Sequence, residues 1–163
     1  MLENAIDAAH NAELSPVVVV LGSQFKEILP VINESEVVVI INTAWENGMS
    51  ESIKCAIRHL IDINSDEAMI MLVDQPYLNS DILKRLITIQ ELNQTLISSA
   101  SYNGICGTPA LFHRSLFPEL LQLQGDIGAN SIIKTHADQL SILPYPQLGI
   151  DIDTLADYQK LMK

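Results

Sequence analysis

The chain has 163 residues, 48% of them hydrophobic and 5% aromatic, and a net charge of −11. That length is enough for one domain over residues 1–163 with a core packed by aliphatic side chains. The charge argues against nucleic acid and anionic membrane as partners, and the apolar runs Val17–Leu21 and Val37–Ile41 fall far short of the roughly 20 residues that cross a bilayer.

Leu2, Ile6 and Ala9 recur at helical spacing, so Leu2–Ala12 reads as an amphipathic helix. It carries acidic residues and no basic cluster ahead of an apolar stretch, which excludes a secretion signal and predicts a cytoplasmic chain. Pro16–Gly22 is a continuous β-branched run ending in Gly, the pattern of a strand buried on both faces of a parallel sheet. A short helix over Gln24–Ile32 and a second buried strand over Glu36–Ile41 follow. Asn42–Met49 is a loop. Ser50 is the expected N-cap of a helix over Glu51–Ile63. Ala68–Val73 is a third apolar strand, ending in Asp74-Gln75-Pro76. Asn79 or Ser80 caps a helix reaching Leu92. Strands are expected over Thr95–Ala100 and Ala110–Phe112, around a turn region at Gly104–Pro109. Gly125–Gly128 precedes a helix over Ala129–Ala137, Leu140–Leu143 is a short strand, and Asp151–Thr154 caps a last helix over Leu155–Met162. Strands alternating with helices predict an α/β sheet, mostly parallel, covered on both faces.

Cys55 and Cys106 have neither metal-ligand nor disulfide-framework spacing, and His10, His59, His113 and His136 form no pair at ligand spacing. Chemistry is expected instead at the carboxyl ends of the strands. Asp74 follows an apolar strand and is braced by Pro76, which suits a Mg²⁺ ligand supplemented by substrate phosphates and water; a turn-capping role explains it equally. Asp126, between Gly125 and Gly128, lies at a helix N-terminus, where the dipole favours a carboxylate. Asp151 and Asp153 alternate, so in an extended segment both face one side; either simple capping or ligation accounts for them.

Taken in order, Trp45-x-x-Gly48-Met49-Ser50-x-Ser52, Leu72-x-Asp74-Gln75-Pro76, Gly107-x-Pro109-x-x-Phe112, Gly125-Asp126-x-Gly128-Ala129 and Asp151-Ile152-Asp153-Thr154 closely resemble the molybdenum cofactor cytidylyltransferase family of molybdopterin nucleotidyltransferase-like domains. The resemblance runs from Leu2 to Tyr158. It implies a three-layer α/β/α Rossmann-like sandwich and Mg²⁺-dependent transfer of CMP from CTP to molybdopterin, with release of pyrophosphate. By position Asp74 matches the family's metal-binding aspartate, and Asp153, or alternatively Asp151, its late metal ligand. Gly48, Met49, Ser50 and Ser52, then Gln75 and Pro76, then Gly107 and Pro109, then Gly125, Asp126 and Gly128 match segments lining the substrate cleft.

The departures carry consequences. The family opens with a strand and a glycine-rich, cation-bearing loop around the triphosphate, whereas Met1–Asp7 aligns with the helix after that loop. Asn130 stands where the family usually has Arg, and Leu155 where it usually has Pro. The resemblance therefore implies a sheet without its first strand and an impaired activity. Backbone groups left unpaired predict re-pairing, a strand borrowed in self-association, or marginal stability. A non-catalytic module binding cofactor or nucleotide during molybdoenzyme maturation is the alternative. GTP in place of CTP, or a sugar-phosphate acceptor, are further ones.

Overall fold

The computed structural model describes residues 1–32 and 36–150. Helix α1 (Leu2–Asn11) buries its small face, Ala5, Ala8 and Ala9. β1 (Val18–Leu21) pairs in parallel with β2 (Val38–Ile41), Val18 opposite Val38 and Leu21 opposite Ile41. The helix expected over Gln24–Ile32 is divided into α2 (Phe25–Ile28) and a 3-10 turn at Leu29–Val31. Pro30 has no N–H with which to continue the α-helical ladder.

α3 (Met49–Asp62) begins two residues earlier than the sequence suggests. Its N-cap is Gly48, and no side chain caps it. Ser50 lies in its first turn, and its N–H donates to the Gly125 carbonyl at 3.0 Å. β3 (Glu67–Ile70) leads through the Asp74 loop to α4 (Ser80–Asn93), which Asn79 caps by accepting from the Ile82 N–H at 3.2 Å. β4 (Ile97–Tyr102) and β5 (Ile105–His113) form a hairpin. α5 (Phe117–Leu120), α6 (Asn130–Thr135), β6 (Leu140–Pro144) and a 3-10 turn at Pro146–Gly149 complete the described chain.

The second sheet has the order β3-β5-β4-β6. β5 runs antiparallel to β3 and β4, and β6 runs parallel to β4. Ile97, Ala110 and Phe112 on one face pack against Ile57 of α3, Phe117 and Leu120 of α5 and Ile133 of α6. Ala100 and Leu143 on the other pack against Ala5 and Ala8 of α1 and Ile82, Leu83 and Leu86 of α4. The result is the three-layer α/β/α sandwich.

Two local expectations change. The turn placed at Gly104–Pro109 is confined to Asn103-Gly104, both at positive φ (51° and 78°), the pair that suits a two-residue hairpin turn. Gly107, Thr108 and Pro109 belong instead to buried β5. The strand expected over Ala68–Val73 stops at Ile70, opposite Ala110. Pro109 comes next on β5 and offers no N–H, so the ladder cannot extend past it.

Candidate functional site

The β4–β5 register carries Ser99 opposite Ala110 but Ala100 opposite Gly107, so Thr108 and Pro109 bulge out of the ladder. The bulge releases the Thr108 carbonyl from strand pairing. Gln75 Nε2 donates to it at 3.0 Å and to the Leu148 carbonyl at 3.2 Å, and the Tyr102 hydroxyl donates to Thr108 as well, at 2.9 Å. Gln75 is 2% exposed. It thereby ties the loop after β3, the bulge of β5 and the Pro146–Gly149 turn into one rigid base. Asp74 rests on this base next to Gln75, with Pro76 and Tyr77 turning the chain toward α4.

A second wall is made by glycines that let two loops touch. Gly48 has φ +102°, and a Cβ on it would lie 2.3 Å from the Gly125 carbonyl carbon. Only glycine allows that approach. The Ser50–Gly125 hydrogen bond locks the two loops together, and Gly128 approaches Met49 so closely that a Cβ there would sit 3.0 Å from Sδ. Asn42, 2% exposed at the end of β2, accepts from the Ala44 N–H at 2.9 Å and donates to Ser52 Oγ at 3.1 Å. It fixes the loop that delivers Gly48. Gly107 connects the two walls, since a Cβ on it would stand 2.8 Å from the Tyr102 hydroxyl and 3.5 Å from Asn130 Nδ2.

The structure thus brings Gly48, Met49, Ser50 and Ser52 together with Gly125 and Gly128, and Gln75 together with Thr108, between Gly107 and Pro109. Met49, Ser52, Val73, Thr108 and Gly128 line one cleft. Asp126 is exposed beside Gly125. Asp151 and Asp153 lie outside the described residues.

Three buried side-chain oxygens in this region have no hydrogen-bond partner: Ser50 Oγ, Asp74 Oδ1 and Gln75 Oε1. Buried polar atoms are nearly always paired; Gln90 Oε1 and Ser98 Oγ, outside these loops, are orphaned as well, so it is the adjacency of Asp74 Oδ1 and Gln75 Oε1 that sets this region apart. Asp74 Oδ1 and Gln75 Oε1 are pure acceptors, which a cation or a donor-rich ligand satisfies. No Lys or Arg among the described residues lines the cleft, and its acidic residues, Glu13, Asp66 and Glu67, stand ahead of β1 and at the start of β3, at the far end of that strand from Asp74. An anionic ligand therefore needs a cation as intermediary. Among the described residues no group of three or more His, Cys, Asp or Glu forms a metal cage. A carboxylate completed by ligand oxygens and water is nevertheless the ordinary arrangement for Mg²⁺, and Asp74 fits it.

Asn42, Tyr102 and Thr108 carry no signal in the sequence. Their roles depend on a hairpin bulge and a loop contact. The Asn103-Gly104 dipeptide does carry the hairpin signal from which the bulge follows.

The MobA-like NTP transferase domain matches residues 1–140. The purine catabolism protein PucB of Bacillus subtilis (strain 168) is 29% identical over 123 residues, 72% of this chain; the chain spans only 58% of that relative's length. Among solved structures, the manganese complex of Rv0371c from Mycobacterium tuberculosis H37Rv superposes with a TM-score of 0.78 at 23% identity, covering 98% of this chain and 84% of its own. Molybdopterin-guanine dinucleotide biosynthesis protein A from Archaeoglobus fulgidus superposes with a TM-score of 0.56 at 17% identity, covering 88% of this chain and 75% of its own. Among the described residues no helix is long and apolar enough to cross a membrane.

Proposed function

This chain belongs to the MobA-like NTP transferase domain family, and we propose that its cleft serves cytoplasmic nucleotidyl transfer, with CTP as donor and molybdopterin as acceptor. The observation that carries the reading is the set of orphan oxygens on Ser50, Asp74 and Gln75. They fall on three of the residues that the motif order assigns to the site.

In such a transfer a phosphate oxygen of the acceptor attacks the α-phosphorus, and the bond to the bridging oxygen of the β-phosphate breaks, releasing pyrophosphate. The protein's task is alignment and charge neutralisation. Asp74, with Asp153 or Asp151, would hold Mg²⁺, which offsets the charge on the phosphate oxygens. Gln75 positions Asp74 through its clamp on the Thr108 and Leu148 carbonyls. The contact of Gly48 with Gly125 holds the two glycine loops together beside Met49 and Gly128. Ser50 Oγ adds a hydroxyl able to donate or accept. Because no Lys or Arg among the described residues lines the cleft, nucleotide binding by residues 1–163 should be strongly metal-dependent and turnover slow.

The test is calorimetry with CTP and GTP in Mg²⁺, together with pyrophosphate release in the presence of molybdopterin. It is run on residues 1–163 and on a version extended at its N-terminus by a strand and glycine-rich loop of the family's kind. Mg²⁺-dependent CTP binding that Asp74→Asn abolishes, and turnover in the extended version that Asp74→Asn lowers by about a hundredfold or more, support the reading. Molybdopterin binding with no nucleotide binding in either version overturns it in favour of a non-catalytic module.

A further inference from the structure

Beside the first turns of α4 lies a separate cavity of about 370 Å³. Asn79, Asp81, Ile82, Lys84 and Arg85 line it from the helix and its cap, and Tyr145, just after β6, closes it. It shares no lining residue with the cleft described above.

The chain has nine Lys and Arg against twenty Asp and Glu, so a cation without a counter-ion stands out. Lys54 pairs with Glu51, and Arg114 with Asp66. Among the described residues Lys84 and Arg85 have no ion-pair partner. Asp81 stands four residues ahead of Arg85, a spacing at which helical ion pairs form, and still does not pair with it. The Tyr145 hydroxyl also has no hydrogen-bond partner among the described residues. Its ring is nevertheless fixed. It packs against the core beneath α4, and its backbone N–H donates to the Ser101 carbonyl at 2.9 Å. Asn79 is already engaged, accepting from the Ile82 N–H and donating to the Tyr77 carbonyl, at 3.2 Å each.

We propose that this cavity binds a small phosphate monoester that carries hydroxyl groups, of the sugar-phosphate type. Each property has its cause. A guanidinium fork next to an ammonium suits a phosphate dianion, whose several oxygens accept from both. The Tyr145 hydroxyl adds a neutral donor. Asp81 repels a bare anion, yet it accepts from a hydroxyl held on the same ligand. The volume lies at the low end of small-molecule sites, which suits a ligand of that size. A large polyanion is disfavoured by the net charge of −11. The inference does not rest on nucleotidyl transfer, and neither Asp74 nor a metal takes part in it.

The experiment is calorimetry of residues 1–163 with ribose 5-phosphate, ribose and inorganic phosphate, in the presence of a chelator and without nucleotide. Ribose 5-phosphate should bind at one per chain, about tenfold or more tighter than either of the others. Lys84→Met together with Arg85→Met should weaken it by about tenfold or more, and Tyr145→Phe by about threefold. Unchanged amide exchange in the β4–β5 hairpin checks that these variants fold. Asp81→Asn should narrow the preference for ribose 5-phosphate over inorganic phosphate, and Asp74→Asn should leave binding as it was. Equal binding of inorganic phosphate overturns the proposal in favour of an adventitious ion only. Loss of binding in Asp74→Asn overturns it in favour of the cleft. Binding that Asp157→Asn tightens by about tenfold overturns it in favour of the chain's own acidic end as occupant. Absence of saturable binding, or binding indifferent to the Lys84 and Arg85 changes, overturns it outright.

Discussion

The two sheets use similar aliphatic residues and are held very differently. In the four-stranded sheet Ile97, Ala110 and Phe112 are 0% exposed, enclosed by neighbouring strands and by α3, α5 and α6, while α1 and α4 cover the other face. In the two-stranded sheet Val19 and Leu21 reach the interior, while Val38, Val39 and Ile40 are half-buried and Ile41 is exposed. A run of valines is enough to make a strand. Burial on both faces requires a strand on each edge and a helix over each face, and β1–β2 has its partly buried companions mainly in Leu2 and Ile6 of α1 and Phe25 and Ile28 of α2.

The sharpest way to break this contrast is to compare equivalent truncations by urea denaturation. Phe112→Ala should cost about 3–5 kcal/mol, whereas Val39→Ala, at a partly buried position, should cost about 1 kcal/mol or less. Equal losses would mean that the two sheets share one core after all. A second comparison isolates the polar part of the four-stranded sheet. Gln75→Leu leaves the Leu148 carbonyl without Nε2 and removes one of the two donors to Thr108. It should cost about 1–3 kcal/mol and speed amide exchange in β4 and β5, leaving β1 and β2 as they were. Faster exchange spread evenly over both sheets would contradict a local clamp.

The smallest effect concerns Glu67, at the start of β3. Burial pushes its carboxyl above the ordinary range, while His113 opposite it and the hydrogen bond from Gln90 Nε2 at 3.0 Å pull the other way. A raised native pKa means that the folded state holds this proton more tightly than the unfolded chain. Stability from this group is therefore present below the ordinary carboxylate value and is lost as pH rises through the raised one. Glu67→Gln should be more stable than the parent at neutral pH, with the difference in melting temperature shrinking on acidification. A difference that stays constant between pH 7 and pH 4 would assign the effect to packing.

Much of the candidate site was legible because local chemistry writes it. An apolar strand ending in Asp74-Gln75-Pro76 and glycines at 48, 125 and 128 can be read as a strand tip and close-approach loops. The hairpin was only half legible. Thr95–Ala100 and Ala110–Phe112 read as strands, but Gly107 and Pro109 imitate a turn, and their place in a buried strand depends on a bulge opposite Ser99. Ser50 likewise resembles a cap. Its residue type favours that position, yet the Gly48–Gly125 contact moves the helix start to Met49.

By itself the sequence determined the alternation of strands and helices, a cap at Asn79 or Ser80 and the residues whose ordered spacing marks the family, because periodicity, propensity and motif spacing are local. Only the tertiary structure decided that Gln75 clamps two carbonyls, that Gly48 rests on Gly125, and that Thr108 and Pro109 bulge from the hairpin. Those facts depend on which groups meet across long stretches of chain, and a backbone hydrogen bond or a Cβ clash is defined only once both partners are in place.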